Sequence, residues 1–282
     1  MTLSVITNAD DFGITPGVNA SIVACHQGGS LTSATLMANM DAAEHAATLA
    51  AANPQLGVGL HFNLTLGSPL ATPGAVPSLV DGEGNFLDRG ALLRRAVSGR
   101  IVASQVETEL HAQLKRMRAL GLDPSHFDSH QHVHAVPTIF AVLSGLAEPL
   151  GKPVRVPWRW RGKAGRKPLL RLANELALQT MVARCMAKSS AGLITNDGLC
   201  SVFDLQRPAS DLIPEDYFDL LRPYSTGVVE LMVHPGLVDA ELARKTEITA
   251  VSAVEDRLLR SDFIRSHVES RGGRLVSYRD VV

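Results

Sequence analysis

Short apolar runs alternate with helix-periodic stretches along this chain, at roughly 25–30 residues per unit, and that rhythm constrains the fold more than anything else. Leu3, Val5 and Ile6 read as a buried first strand. Val18 to Gln27 has helical spacing, with Val18, Ile22 and Cys25 on one face, and Gly28–Gly29 closes it. Leu31 to Asn39 is the next strand, an alanine-rich helix runs from about Asp41 to Ala52, and Gly57 to Thr65 is a buried strand with a polar outlet. Further helices are expected over 91–100, 104–120, 138–150 and 168–187, and one long helix over 248–270. Strands are expected at 228–233 and 274–278. With 282 residues and no internal repeat or linker, the expectation is one α/β domain, 1–282, around a parallel sheet or barrel.

Two stretches fall outside the rhythm. Gly67 to Asp88, rich in Pro, Gly and Asp, reads as a long surface loop of the kind that often serves as a lid. Lys152 to Lys167 carries Arg155, Arg159, Arg161, Lys163, Arg166 and Lys167 with both tryptophans, Trp158 and Trp160. It reads as the start of a basic, Trp-containing insertion or lid around 152–200. Two uses are open for it: a solvated loop anchored by its tryptophans, or a surface for a sugar, an anion or a membrane.

The charge balance, 27 Lys and Arg against 28 Asp and Glu, gives no electrostatic footprint for nucleic acid. Cys25, Cys185 and Cys200 are odd in number and form no CxxC pair, so they read as reduced thiols. No apolar stretch approaches the roughly 20 residues of a membrane span, and no signal peptide is evident. The expected setting is the cytoplasm.

The chemistry sits where the apolar runs end. Asp10 and Asp11 follow the first strand, His61 the third, and His234 the run Val228 to Val233. A fourth cluster, His130-Gln131-His132-Val133-His134, alternates, so an extended conformation would put its histidines on one face. Strand C-terminal ends are where parallel α/β proteins gather their sites. One carboxylate with two imidazoles is a normal first shell for a catalytic divalent metal, and two imidazoles favour zinc or another transition metal over magnesium. Singly, His61 reads as a core histidine and His234 equally as a turn residue or a catalytic one; the conjunction favours the site.

Four motifs carry a resemblance: Asn-Ala-Asp-Asp-Phe-Gly at 8–13, Gly-Leu-His-Phe-Asn-Leu-Thr at 59–65, Asp-Ser-His-Gln-His-Val-His at 128–134 and Glu-Leu-Met-Val-His-Pro-Gly at 230–236. In this order they resemble the YdjC-like carbohydrate deacetylases, which include chitooligosaccharide and hopanoid-biosynthesis deacetylases. The resemblance implies a distorted, TIM-like (β/α) barrel, a divalent metal, and removal of acetyl groups from N-acetylated sugars. It maps Asp11, His61 and His130 to the metal, Asp10 to the catalytic base and His234 to the general acid. Gln131 stands where chitooligosaccharide deacetylases tend to carry a further histidine.

In such a reaction Asp10 takes a proton from water while the metal neutralises Asp11 and polarises the acetyl carbonyl. Asp128 is expected to accept from a histidine ring N–H, and Asn63, His132, His134 and Arg155 to contact substrate or support the ligands. The expected partner is a chitooligosaccharide-like or lipid-linked N-acetylated sugar, with peripheral membrane contact and a homodimer left open. A metal-dependent phosphoesterase and a non-catalytic sugar-binding barrel are the alternatives.

Overall fold

In the computed structural model, which describes residues 2–158, 161–162, 169–188 and 192–281, the strands gather into one parallel sheet. The strands are β1 (Leu3–Phe12), β2 (Ser33–Leu36), β3 (Gly57–Phe62), β4 (Phe127–Ser129), β5 (Gly198–Cys200), β6 (Gly227–Val233) and β7 (Arg274–Leu275). Their order is β4-β3-β2-β1-β6-β5, and β7 pairs with Ser4 and Val5 of β1. The curl of the sheet brings its outer strands near each other. Val154 joins them, bridging Phe127 of β4 on one side and Thr195, just before β5, on the other. Arg155 N–H donates to Phe127 O and Val154 N–H to Ile194 O, both at 2.9 Å. The result is the distorted α/β barrel anticipated above.

Helices α1 (Pro16–Gln27), α2 (Ala43–Ala52), α3 (Arg89–Val97), α4 (Ala103–Ala119), α5 (Pro137–Ala147) and α6 (Leu169–Lys188) precede β5. After it come α7 (Pro214–Leu221), α8 (Ala240–Lys245), α9 (Thr249–Leu259) and α10 (Phe263–Ser270). α1 starts where Thr15 accepts from Val18 N–H at 3.2 Å and Pro16 fills the first turn, which needs no donor there. Val5, Ala9 and Phe12 of β1 join the large apolar core together with Val18, Ile22 and Cys25 of α1. Ile6 belongs instead to a separate cluster with Tyr278 and Val281, inside the barrel. Many other inward side chains of the strands are polar, among them Asn8, Asp10, Thr35, His61, Asp128 and Glu230, with Val228 and Met232 of β6 apolar.

Four expectations change. The long helix at 248–270 is two helices, α9 and α10, because the chain turns at Arg260–Asp262. That turn packs on Gly28, where a Cβ would meet Arg260 O at 2.1 Å, and the Ser30 hydroxyl donates to Ser261 O. β5 escaped the reading because three residues are too few to display a period. Within the stretch expected as an insertion or lid, residues 153–156 link the sheet's edges. Trp158 lies half-buried on Val156 and Val182, and its Nε1–H donates to Asn196 O at 2.9 Å, which makes it an anchor. Arg159, Trp160, Lys163, Arg166 and Lys167 lie outside the described residues.

The fourth change concerns the histidine cluster. It is not extended: β4 stops at Ser129 and a 3-10 turn runs from His130 to Ala135, with Gln131 and His132 in the left-handed region at φ 54° and 55°. Ser129 ties the turn together, its Oγ accepting His134 N–H at 3.0 Å and meeting His134 Nδ1 at 2.5 Å. The three rings therefore do not share a face.

Candidate active site

Two consecutive residues of a regular strand point to opposite faces, so Asp10 and Asp11 should diverge. They do not. The register of β1 against β2 slips between Ala9 and Phe12, and Asp11 sits in the left-handed region at φ 65°. This bulge turns both carboxylates into one cleft of about 630 Å³ at the C-terminal ends of the strands. Asp11, Gln131 and His132 are the non-glycine residues with positive φ among those described, and all three line that cleft. Backbone strain of this kind, about 1–3 kcal/mol per residue, gathers where function needs it.

Asp11, His61 and His130 bring one ligand atom each within 4.8 Å of the others. Asp11 Oδ1 lies 2.9 Å from His130 Nδ1 and 3.4 Å from His61 Nε2, yet it is buried without a properly directed hydrogen bond. The far nitrogen of His61 is fixed: Nδ1 meets Asp128 Oδ1 at 2.7 Å. A carboxylate only accepts, so Nδ1 carries a proton, and Nε2 is the ring atom left facing Asp11, where it can ligate once it gives up its own proton. Burial pulls the His61 pKa down, but Asp128, Asp10 and Asp11 outweigh it and raise the ring to about 10. This is a field that holds positive charge. Burial pushes Asp11 up, and His130 with His61 overcomes it, keeping that carboxyl well below its ordinary range. An orphaned carboxylate oxygen, two imidazoles and a field of this sign fit a divalent cation.

Asp10 is held differently. Its Oδ1 accepts from Asn8 Nδ2 at 3.0 Å and Arg155 Nη2 at 2.6 Å, and its Oδ2 accepts from Arg155 Nη1 at 2.8 Å. Burial works to raise this carboxyl, but the Arg155 guanidinium and His61 keep it below the usual value. Arg155 is fully buried and also pairs with Asp128 Oδ2 at 2.7 Å and with Glu230. Asp10, His61 and Asp128 form a second group with metal-ligand spacing. Both of its carboxylates already hold Arg155, so a guanidinium occupies the position a second cation would need.

His234 closes the cleft opposite. Its Nε2 lies 3.8 Å from Asp10 Oδ2, its ring stands edge-on to Phe203, and its backbone N–H donates to buried Glu255 at 2.5 Å. Burial lowers the His234 pKa, against the pull of Asp10 and Asp11. The Pro-Gly that follows lets the turn seat on α9, with Gly236 N–H donating to Ser252 O at 3.1 Å.

The remaining predicted residues divide. His132 lines the cleft with Nδ1 buried and unbonded. His134 does not reach it: Nε2 bonds Arg155 O at 2.9 Å and Nδ1 bonds Ser129, so the ring fixes the segment that carries Arg155. Asn63 is likewise engaged in the protein. Its Oδ1 accepts from Thr65 and Leu66 N–H, and its Nδ2 donates to Asn39 Oδ1 and Leu66 O. Asp128 Oδ1 accepts from His61 Nδ1–H at 2.7 Å. Arg155 is fully buried and holds Asp10 from inside the barrel, so it does not line the cleft.

Glu230, Glu255, Tyr278 and Arg89 were missed by the sequence reading. Glu230 had a signal, a carboxylate inside an apolar run. Tyr278 had none. Arg89 stands at the cleft mouth, beside the N-terminus of α3 that Asp88 caps.

Fold and site together define an α/β barrel whose strand ends hold an Asp-His-His group with metal-ligand spacing, beside a second, arginine-bound aspartate. A family model described as YdjC-like protein matches residues 4–270, and the chain belongs to that family. It is similar to a carbohydrate deacetylase of Geobacillus stearothermophilus, at 37% identity covering 98% of this chain and 96% of the relative. A chitooligosaccharide deacetylase of Serratia marcescens is 33% identical, covering 98% of both chains. The crystal structure of an Enterococcus faecalis V583 protein, described as a candidate cellobiose-phosphate cleavage protein, matches with a TM-score of 0.79. Its identity is 26%, over 99% of this chain and 98% of that one. Among the described residues, no helix is long and apolar enough to cross a membrane.

Proposed function

We propose that the protein is a metal-dependent carbohydrate deacetylase that hydrolyses the N-acetyl group of a chitooligosaccharide-like sugar, releasing acetate and a free amine. The observation that carries this reading is the bulge that splits Asp10 from Asp11. One carboxylate faces two imidazoles, the other an arginine, and both open on the same cleft. The names of the relatives support the substrate class.

Asp11, His61 and His130 hold the cation, with zinc favoured by the two imidazoles. When bound, it supplies Lewis-acid polarisation of the acetamide carbonyl and makes a water more acidic. Asp10 accepts that water's proton at Oδ2, the oxygen with one arginine donor and an open side towards His234. A carboxyl kept this acidic gives the proton up readily. His234 Nε2, 3.8 Å from that oxygen, takes the proton and passes it to the departing amine. The same burial that makes His234 a weak base makes its protonated form a ready donor. Phe203, Met232 and Ile248 offer the sugar an apolar wall, and Arg89, Gln131 and His132 offer polar contacts. A two-metal phosphoesterase finds no room for its second cation while Arg155 stands between Asp10 and Asp128.

The test is acetate release from N-acetylglucosamine oligomers. Chelation abolishes release and one equivalent of zinc restores it. Asp10→Asn lowers turnover by about 10²–10⁴-fold while the chain keeps its metal. Full activity in Asp10→Asn removes the base assignment. Silence of the metal-loaded protein across the oligomers leaves a non-hydrolytic sugar-binding barrel.

A further inference from the structure

The floor of the barrel is built by the end of the chain. Val276 N–H donates to Val5 O at 2.8 Å, and Ser277 caps a short turn in which Asp280 returns the bond. That turn drives Tyr278 into the barrel, fully buried, with Ile6 and Val281 beside it. The seat is prepared from three sides. Ser33 Oγ accepts Tyr278 N–H at 3.1 Å. The His126 ring stacks on the phenol at 3.8 Å with the planes 13° apart. β3 clears the space with Gly57 and Gly59: a Cβ on Gly59 would lie 2.5 Å from the His126 ring, and one on Gly57 would press Ser277 at 3.3 Å.

The phenol O–H ends on Glu230 Oε2. Glu230 in turn takes Arg155 through both Nε, at 3.0 Å, and Nη2. The outer edge of the same guanidinium carries Asp10 by two bonds. Four side chains thus form one rigid line from the C-terminal turn to the oxygen next to His234. The line runs through groups that are all buried, where water cannot substitute for a missing bond. Tyr278 also lies beyond the residues matched by the family model.

We infer that Tyr278 is a positioning residue of the reaction, acting through Glu230 and Arg155 to fix the angle of Asp10 in the cleft; this rests on the deacetylase reading above. Glu230 needs two donors on Oε2 to stay in the plane of the guanidinium. Without the phenol, Arg155 keeps its charge partners but loses its fixed orientation, and Asp10 turns with it. A displaced base costs turnover and leaves sugar binding alone, because Tyr278, Glu230 and Arg155 do not line the cleft.

Tyr278→Phe removes the O–H and keeps the ring in its stack. Two measurements test it. In protein labelled with ¹⁵N-arginine, the Arg155 Nε–H signal, assigned by its loss in Arg155→Lys, exchanges with solvent at least about tenfold faster in Tyr278→Phe. In turnover, kcat falls about tenfold while KM and zinc affinity stay within about twofold. An unchanged exchange rate, or an unchanged kcat, overturns the inference. A purely structural role lowers the melting temperature and leaves both readings alone. If Tyr278→Phe does not fold, Glu230→Gln breaks the same line and gives the same two changes, and wild-type values there overturn the inference equally. Should wild-type protein release no acetate, the deacetylase reading fails, and the exchange measurement still decides whether Tyr278 orders Arg155.

Discussion

At the scale of single residues, the paired aspartates are chemically alike and differ only in company. Asp11 meets two imidazoles and Asp10 meets a guanidinium. The roles proposed for them follow from those partners, since a carboxylate without directed hydrogen bonds is free to coordinate and one bonded at both oxygens is held for proton transfer. Asp128 matters through His61, whose proton it keeps on Nδ1. Asp128→Asn is therefore expected to weaken metal binding by about 10–100-fold, read by competition with a chelating dye, although Asp128 lies outside the proposed ligand set. The motif order exposed Asp10, Asp11, His61, His130 and His234, because polar residues ending apolar runs stand out in a sequence. Arg155 stood out for its charge, but its contacts with Asp10, Asp128 and Glu230 join residues up to 145 positions apart.

At the scale of elements, each strand delivers its residue by a local device. β1 uses a bulge, β4 stops at a serine-tied 3-10 turn, and β6 ends in a turn held by Glu255. β3 contributes by what it lacks. Gly59 lets the His126 ring lie across it, so Gly59→Ala drives a Cβ into that ring and its backbone carbonyl. The expected loss is about 1–3 kcal/mol in urea unfolding, with the tyrosine seat disturbed as well. The alternation of histidines at 130–134 suggested a strand, and the structure gives a turn. Period alone could not distinguish them, because the Ser129 hydroxyl that ties this turn competes locally with the ladder.

At the scale of the whole molecule, the barrel interior is a stack of charge. Arg155 faces Asp10, Asp128 and Glu230, and the cation proposed for Asp11, His61 and His130 would add a second positive charge beside it. Glu255 adds a pH dependence to the fold. Burial raises its pKa to about 8, against the bonds from His234 N–H and Tyr217 that favour the ion. Between about pH 4.5 and 8 the folded protein thus holds a proton that the unfolded chain has released, so this contribution is complete at low pH and is lost as pH rises. Denaturant unfolding of wild type relative to Glu255→Gln should lose on the order of 2–5 kcal/mol from pH 5 to 8. A flat difference would mean that Glu255 is ionised in the fold throughout.

The sequence by itself determined the alternation that makes a parallel α/β barrel and the strand ends where chemistry collects. Both rest on local pattern, the period of apolar residues and the point where it breaks. Only the tertiary structure decided which aspartate faces the imidazoles, why the second carries an arginine, and how the turn at Tyr278 reaches Asp10. Those are contacts between buried polar groups far apart in the chain. Their partners are fixed by the curl of the sheet, the bulge in β1 and the closure at Val154, none of which has a period to read.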